Sequence, residues 1–331
     1  MGQSTTPAQS AVTVVHISDL TAANAGMDLI EQDVMPLQSI PLRARRVIVR
    51  LESTVVVYHS TNLRVRTRTR VHEGLLAYVT FGPRSTGAVQ GIQVRPGMLV
   101  VAEPETEAGF VAEPGYESVT LLVPPNDIRA HLSARQRDGE LRWPQGIEVL
   151  RTDPARARAL FVLGKRLATT ALRTPATFDE GRAERHVAQV ELLEALLVAM
   201  RSAGTLDLVV TEKTRRMHDR IVKCAEELVV SRPGERVHVS DLCLAADVSE
   251  RTLEGAFKEV MGLSPTAYLT RLRLHRVHAA LLVAEPGSTR ISAEALKWGF
   301  WHFGEFARAY KRCFGESPSV TLRRRPASRP R

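Results

Sequence analysis

The sequence predicts an α+β protein: a β-rich N-terminal domain with trailing helices, then an all-α domain of two helix-turn-helix units joined by a long helix. Three observations predict it. A segment near the C-terminal end occurs twice at a fixed offset of 53 residues. Short runs of Val, Thr, Tyr and Leu, punctuated by Gly and Pro, fill residues 40–124. The basic excess of the chain lies on the duplicated part.

In chain order, residues 1–35 form a weakly patterned N-terminal segment whose first ten residues read as a mobile terminus. Residues 36–203 are the β-rich sensor or dimerisation domain. Strands are expected over 46–51, 54–59, 63–71, 75–81, 98–102 and 118–123, with turns at Gly82-Pro83, Pro96-Gly97 and Pro114-Gly115. Many short strands at close spacing suggest a sandwich or small barrel. Arg64, Arg66, Arg68 and Arg70 alternate with Val65, Thr67, Thr69 and Val71, so period two puts the four arginines on one face. The plain expectation is a solvated face with Val and Thr inward; the sharper one is a basic lining for an anionic effector. His59 and His72 stand far apart, no metal-ligand spacing occurs, and no metal site or cofactor is expected.

Residues 125–203 read as helical: a short helix capped by Asn126, one from about Pro154 to Leu172, and one over 184–203. In the last, Val190, Leu193, Leu197 and Met200 recur at spacings of 3, 4 and 3. Packing on the barrel or the preceding helix competes here with a dimer interface.

Residues 204–213 are the expected linker, 214–322 the double helix-turn-helix domain and 323–331 a basic tail. The first unit has Ser240 and Ser249 as candidate caps, Leu253, Ala256, Phe257 and Val260 facing inward, and Gly262 as a stop. A long helix follows from Pro265 to about Ala284. The second unit has Ser292 as a candidate cap, Ala295, Leu296 and Trp298 inside, Gly299 at the turn, and Phe306, Ala309, Tyr310 and Phe314 as the inner face of its second helix. Sequence repeats of this kind imply repeated structure. The second helix of such a unit is sized for the DNA major groove.

The outward positions follow from the 100° helical step. Arg251 and Glu254 in the first unit, and His302, Phe303 and Arg308 in the second, are the candidates for base contact. Ser249, Lys258, Lys311 and Arg312 suit phosphates, which position without specifying.

The run Ala295-Leu296-Lys297-Trp298-Gly299-Phe300, followed by Phe306-Ala307-Arg308-Ala309-Tyr310-Lys311-Arg312-Cys313-Phe314-Gly315-Glu316-Ser317-Pro318, closely resembles the signature of the AraC/XylS transcriptional regulators. The resemblance covers about a third of the chain, residues 215–322. It implies two helix-turn-helix units reading adjacent major-groove segments of promoter DNA, and a base-contacting role for Arg308. Gly255 departs from the longer side chain common at its place in the family. The resemblance also implies a cupin-like sensor barrel in the N-terminal position, which agrees with the strand pattern.

Charge and composition bound the alternatives. The net charge is +9 over 331 residues. From Glu212 onward, 22 Lys and Arg face 14 Asp and Glu; the first 211 residues hold an excess of only one. A basic excess favours a polyanionic partner. No apolar run is long enough to span a membrane and no secretory leader is evident, so a cytoplasmic location is expected. Cys224, Cys243 and Cys313 read as small buried hydrophobes. The expected partners are double-stranded DNA, a second copy of the chain as a homodimer, a small-molecule effector and RNA polymerase. No catalytic residues are expected. The rival readings are a cupin-type metal enzyme fused to a DNA-tethering domain, and a non-specific nucleoid-packaging protein.

Overall fold

The computed structural model describes residues 10–323 apart from 18–28, 39–41, 73, 138, 140, 142, 207–209, 233–234 and 286–287. The strands are β1 (Val12–Ile17), β2 (Ile30–Pro36), β3 (Ala44–Arg50), β4 (Val55–Thr61), β5 (Val65–Val71), β6 (Leu76–Phe81), β7 (Gly87–Val89), β8 (Ile92–Gln93), β9 (Met98–Ala102), β10 (Glu107–Ala112) and β11 (Glu117–Val123). Helix α1 (Pro125–Ser133), strand β12 (Ile147–Arg151), helices α2 (Pro154–Arg173) and α3 (Ala183–Arg201), and strand β13 (Gly204–Thr205) follow. The rest is helical: α4 (Val210–Ser231), α5 (Val239–Ala246), α6 (Glu250–Met261), α7 (Pro265–Val283), α8 (Ile291–Lys297), α9 (Phe303–Phe314) and α10 (Pro318–Arg323).

The strands form two antiparallel sheets, ordered β1-β3-β4-β11-β6-β9-β12-β13 and β2-β5-β10-β7-β8. Alternation sorts their side chains. In β3 and β4, Val47, Val49, Val56 and Tyr58 pack against Leu160, Phe161, Leu192 and Leu196 of α2 and α3. Ile48, Val55 and Val57 turn to the opposite face, with Ile30 and Val71 of the smaller sheet. The two sheets thus enclose an interior, and α1–α3 cover the outside of the larger one. Each buried Leu or Phe contributes ~1.5–3 kcal/mol, which makes this helix-on-sheet layer a principal core.

The outside of the smaller sheet is covered by the C-terminal helices. Met35, Leu37 and Val111 share one cluster with Val222 and Ala225 of α4, Leu253 and Phe257 of α6, and Tyr268 and Leu269 of α7. The second unit has its own cluster, in which Leu274, Val277 and Leu281 of α7 meet Ala295, Phe306 and Tyr310.

Several expectations are revised. The segment before residue 36 is structured where it is described: β1 pairs with β3, and β2 with β5. Their short, mixed-polarity sequences hide the strands, which are edge additions stabilised by pairing. Thr205 pairs with Leu150, and α4 already begins at Val210, so little of 204–213 is left as connection. The linker's centre, the stop at Pro233-Gly234, the break at Pro286-Gly287, the first nine residues and the tail from 324 lie outside the described residues.

Three cap assignments also move. Ser240 lies inside α5, whose start is fixed by Asp241 Oδ2 accepting from the His238 backbone N–H at 2.7 Å. Ser292 lies inside α8, which begins after Arg290. Helix α1 begins after Pro124, and the Asn126 Oδ1 accepts from Arg129 at 3.0 Å instead of capping. Ser249 does cap α6, accepting from the Thr252 N–H at 3.2 Å. Gly262 and Gly315 end α6 and α9 at φ of 69° and 74°, where a β-carbon would be strained.

Candidate nucleic-acid interface

The second unit is built from an aromatic interior outward. Phe306 and Tyr310 of α9 are buried, and Phe300, Phe314 and Trp298 pack against them. Phe300 and Phe306 lie 5.0 Å apart, Tyr310 and Phe314 4.6 Å. The Tyr310 hydroxyl donates to Thr321 Oγ1 at 2.9 Å and meets His278 Nδ1 at 2.7 Å, tying α9 to α10 and α7. With that face committed, the helical step leaves His302, Phe303, Glu305, Ala307, Arg308, Lys311 and Arg312 exposed. Gly299, at the turn, has φ of 79°.

Beside this face lies a groove of about 990 Å³, with Trp301, His302, Arg308 and Arg312 along its wall. Arg236, ahead of α5, and Thr270 of α7 complete it. Arg308 folds back along its own helix, its Nε donating to the Gly304 carbonyl at 3.3 Å. Its guanidinium therefore has to swing outward to form a fork with a base. Lys311 and Arg312 stand in the last turn of α9, two cations on the exposed side.

The first unit repeats the plan. Leu253, Ala256, Phe257 and Val260 of α6 are buried. Arg251, Glu254, Gly255 and Lys258 are exposed, and so is Ser249 at the cap. Nothing lies within 4 Å of where a Gly255 β-carbon would be, so its small size answers no crowding inside the protein.

Two contributors escape a reading by residue type. In the repeat, Trp301 occupies the place of Val248, a position partly buried against the first core. Trp301 is 62% exposed, whereas the sister unit holds a smaller, partly buried valine at this place. That mismatch of size is the signal in the sequence. Arg236 carries no such signal; only the fold brings it beside α9.

The proposed seam on α3 is divided by the structure. Leu193 and Leu197 are buried, at 4% and 3% exposure, in the core shared with α2 and the larger sheet. Val190 and Met200 are partly buried, Met200 against the same core. The exposed apolar residues of α2 and α3 are others: Val162, Leu172, Val187 and Val198.

Between the two sheets is a cavity of about 80 Å³, lined by Gln32, Arg46, His59, Thr67, Tyr116 and Ser118 among others. Arg46 is 1% exposed and its Nη2 donates to Gln32 Oε1 at 2.6 Å. Burial lowers its pKa to about 10. Burial, and then the charge of Arg46, push His59 down to about 3, so its ring is neutral near pH 7. Among the described residues no group of three or more His, Cys, Asp or Glu is placed to hold a metal ion.

Comparison with known proteins places the C-terminal part. A family model described as "Helix-turn-helix domain" matches residues 242–324. The chain is 34% identical over 106 residues to the "Probable thc operon regulatory protein" of Rhodococcus erythropolis, covering 32% of each chain. It is 33% identical over 107 residues to "XylDLEGF operon transcriptional activator 1" of Pseudomonas putida, covering 32% of this chain and 31% of that one. The chain thus spans about a third of the length of these curated relatives. A solved structure from Rhodopseudomonas palustris CGA009, titled a probable AraC family transcriptional regulator, is 36% identical, with 31% of this chain and 94% of that one covered and a TM-score of 0.29. Residues 242–324 therefore form a helix-turn-helix domain of the AraC/XylS type.

Proposed function

We propose that this protein is a sequence-specific regulator of promoter DNA, in which α6 and α9 enter adjacent major-groove segments. One observation carries the reading: both helices bury their aromatic and aliphatic faces and leave unequal polar faces outside. Unequal faces suit base reading and disfavour indifferent packaging of DNA. Helix α7, 19 residues and so roughly 28 Å long, separates the units by a distance near one helical turn of DNA, about 34 Å. Arg251, Glu254, His302, Phe303 and Arg308 read bases in this account; Ser249, Lys258, Lys311 and Arg312 hold phosphates. Trp301 and Arg236 join them at the edge of the groove.

A small-molecule effector in the cavity between the sheets, or self-association, controls the activity. The exposed valines of α2 and α3 are the better-supported contact with a second copy. RNA polymerase is the further partner of an activator, and the chain works in the cytoplasm.

The test is a selection from random duplex DNA with the full chain, repeated at several salt concentrations. The reading expects one enriched motif with two half-elements about one helical turn apart, and an affinity that falls steeply with salt. Enrichment of no motif would leave only non-specific binding.

A further inference from the structure

The two helix-turn-helix units are out of step by one residue. Asp247 and Gly299 are the left-handed residues of their turns, at φ of 51° and 79°. The residue after each closes the turn: the Val248 N–H donates to the Cys243 carbonyl at 3.1 Å, and the Phe300 N–H to the Ala295 carbonyl at 2.9 Å. Ser249 and His302, which precede α6 and α9, and Gly262 and Gly315, which end them, keep the offset of 53. Counted along the sequence, Trp301 falls on Val248; by the hydrogen bonds of the turn, Phe300 does. The second unit thus holds one residue more between turn and helix, and that residue is Trp301. Phe300 fills the core position, 5.0 Å from Phe306, so the indole is left outside, 62% exposed.

The outward faces differ as well. The offset sets Arg251 of α6 against Gly304 of α9, and Gly255 against Arg308. The first helix therefore carries its arginine in its opening turn, and the second carries it one turn later. Glycine inside a helix is destabilising relative to alanine, and nothing lies within 4 Å of where a Gly304 β-carbon would be, so no crowding inside the protein calls for it. What it leaves is open space beside Phe303, which is itself 44% exposed. Two large exposed aromatics this close in the chain mark a contact surface. Arg236, Arg308, Lys311 and Arg312 line the same groove as Trp301. An apolar pair among four cations matches a duplex edge, where a methyl-bearing base lies between phosphates.

We propose that Trp301 and Phe303 read the 5-methyl group of thymine in the half-element held by α9, at the place where the first unit uses Arg251. The inference rests on the function proposed above. In the major groove thymine is the base that presents a methyl group, and an apolar side chain is its partner. The indole offers a broad, rigid apolar face for that contact. Gly304 lets the base edge approach without meeting a side chain. The two units then differ in kind. The first reads with an arginine in its opening turn; the second reads by apolar contact there and by Arg308 one turn on.

The test uses the full chain and the duplex that the wild type selects. Each thymine of the motif, on either strand, is replaced in turn by deoxyuridine, which lacks only the methyl group. Wild type is expected to lose about fourfold in affinity at one or two of these positions, the effect of one buried methyl group. Trp301→Ala should bind the unmodified duplex about fourfold or more weakly, and deoxyuridine at those positions should then change its affinity by less than about 1.5-fold. Trp301→Phe should keep part of the sensitivity. Unfolding of Trp301→Ala in denaturant should match wild type, since the side chain is exposed. Phe303→Ala gives the same comparison for the second ring. A motif without thymine, or wild-type binding indifferent to deoxyuridine at every thymine, overturns the proposal; so does undiminished sensitivity in both Trp301→Ala and Phe303→Ala. A Trp301→Ala loss equal on selected and random duplex also overturns it, since the indole would then be a non-specific contact. If the wild type selects no motif, the functional reading fails and the proposal with it; a motif insensitive to methyl removal sinks the proposal alone.

Discussion

Arg308 and Lys311 sit three residues apart on α9, and their chemistry separates them. A guanidinium that leaves Gly304 can form a bidentate contact with guanine, worth ~1–3 kcal/mol of discrimination. Arg308→Ala is expected to erase preference at one base position, read in a random-DNA selection, with the fold intact because the residue is exposed. Lys311→Ala should weaken all sequences alike and shallow the salt slope by about one unit. A different residue makes the second unit sensitive to acid. His275 of α7 lies edge-on to Phe314 at 5.0 Å, with neither ring nitrogen hydrogen-bonded. Burial, then the charges of His278 and Arg271, lower its pKa from 6.5 to about 3. The unfolded chain therefore takes up a proton at higher pH than the folded one. The stability tied to this residue is complete above pH 6.5 and is lost as pH falls from there toward about 3. His275→Phe should flatten that part of the stability profile relative to wild type, measured by denaturant unfolding across pH.

At the scale of elements, α3 distinguishes a core helix from an interface helix. Its heptad-like spacing is compatible with either, since both need an apolar stripe. The structure assigns Leu193 and Leu197 to the core, so Leu193→Ala is expected to cost ~2–5 kcal/mol of stability. Self-association should instead respond to Val187→Glu with Val198→Glu, both exposed. Sedimentation of that pair resolves the matter: a drop in mass with unchanged unfolding supports the α2–α3 surface as the contact, and an unchanged mass removes it.

For the whole molecule, the shared core of the first unit has a measurable consequence. A fragment beginning at α4 lacks Met35, Leu37 and Val111, and lacks the arginine that faces Asp219 and Glu226. It should still bind DNA in a salt-dependent manner, yet unfold at lower denaturant concentration than the same segment in the full chain. Within the fragment, α6 should lose exchange protection before α9, because among the described residues the core of the second unit draws on none from the N-terminal domain.

The sequence by itself determined the duplicated helical units, the inner and outer faces of α6 and α9, the stops at Gly262 and Gly315, and the β-rich character of residues 40–124; Leu296, expected inside, is 39% exposed. These are local quantities: periodicity, turn chemistry and side-chain size recur within a few residues and need no partner to be read. Strands β1 and β2 were not legible, because they are held by pairing with β3 and β5 and not by their own composition. The role of the arginine strand was decided by tertiary structure alone. Alternation placed Arg64, Arg66 and Arg68 on one face, where solvent or an anionic ligand was the natural neighbour. The fold supplies Asp219 and Glu226, more than 150 residues away in sequence, and buries the charge between two domains. A strand's period states which side chains point together; what they point at depends on long-range packing, and no local pattern carries it.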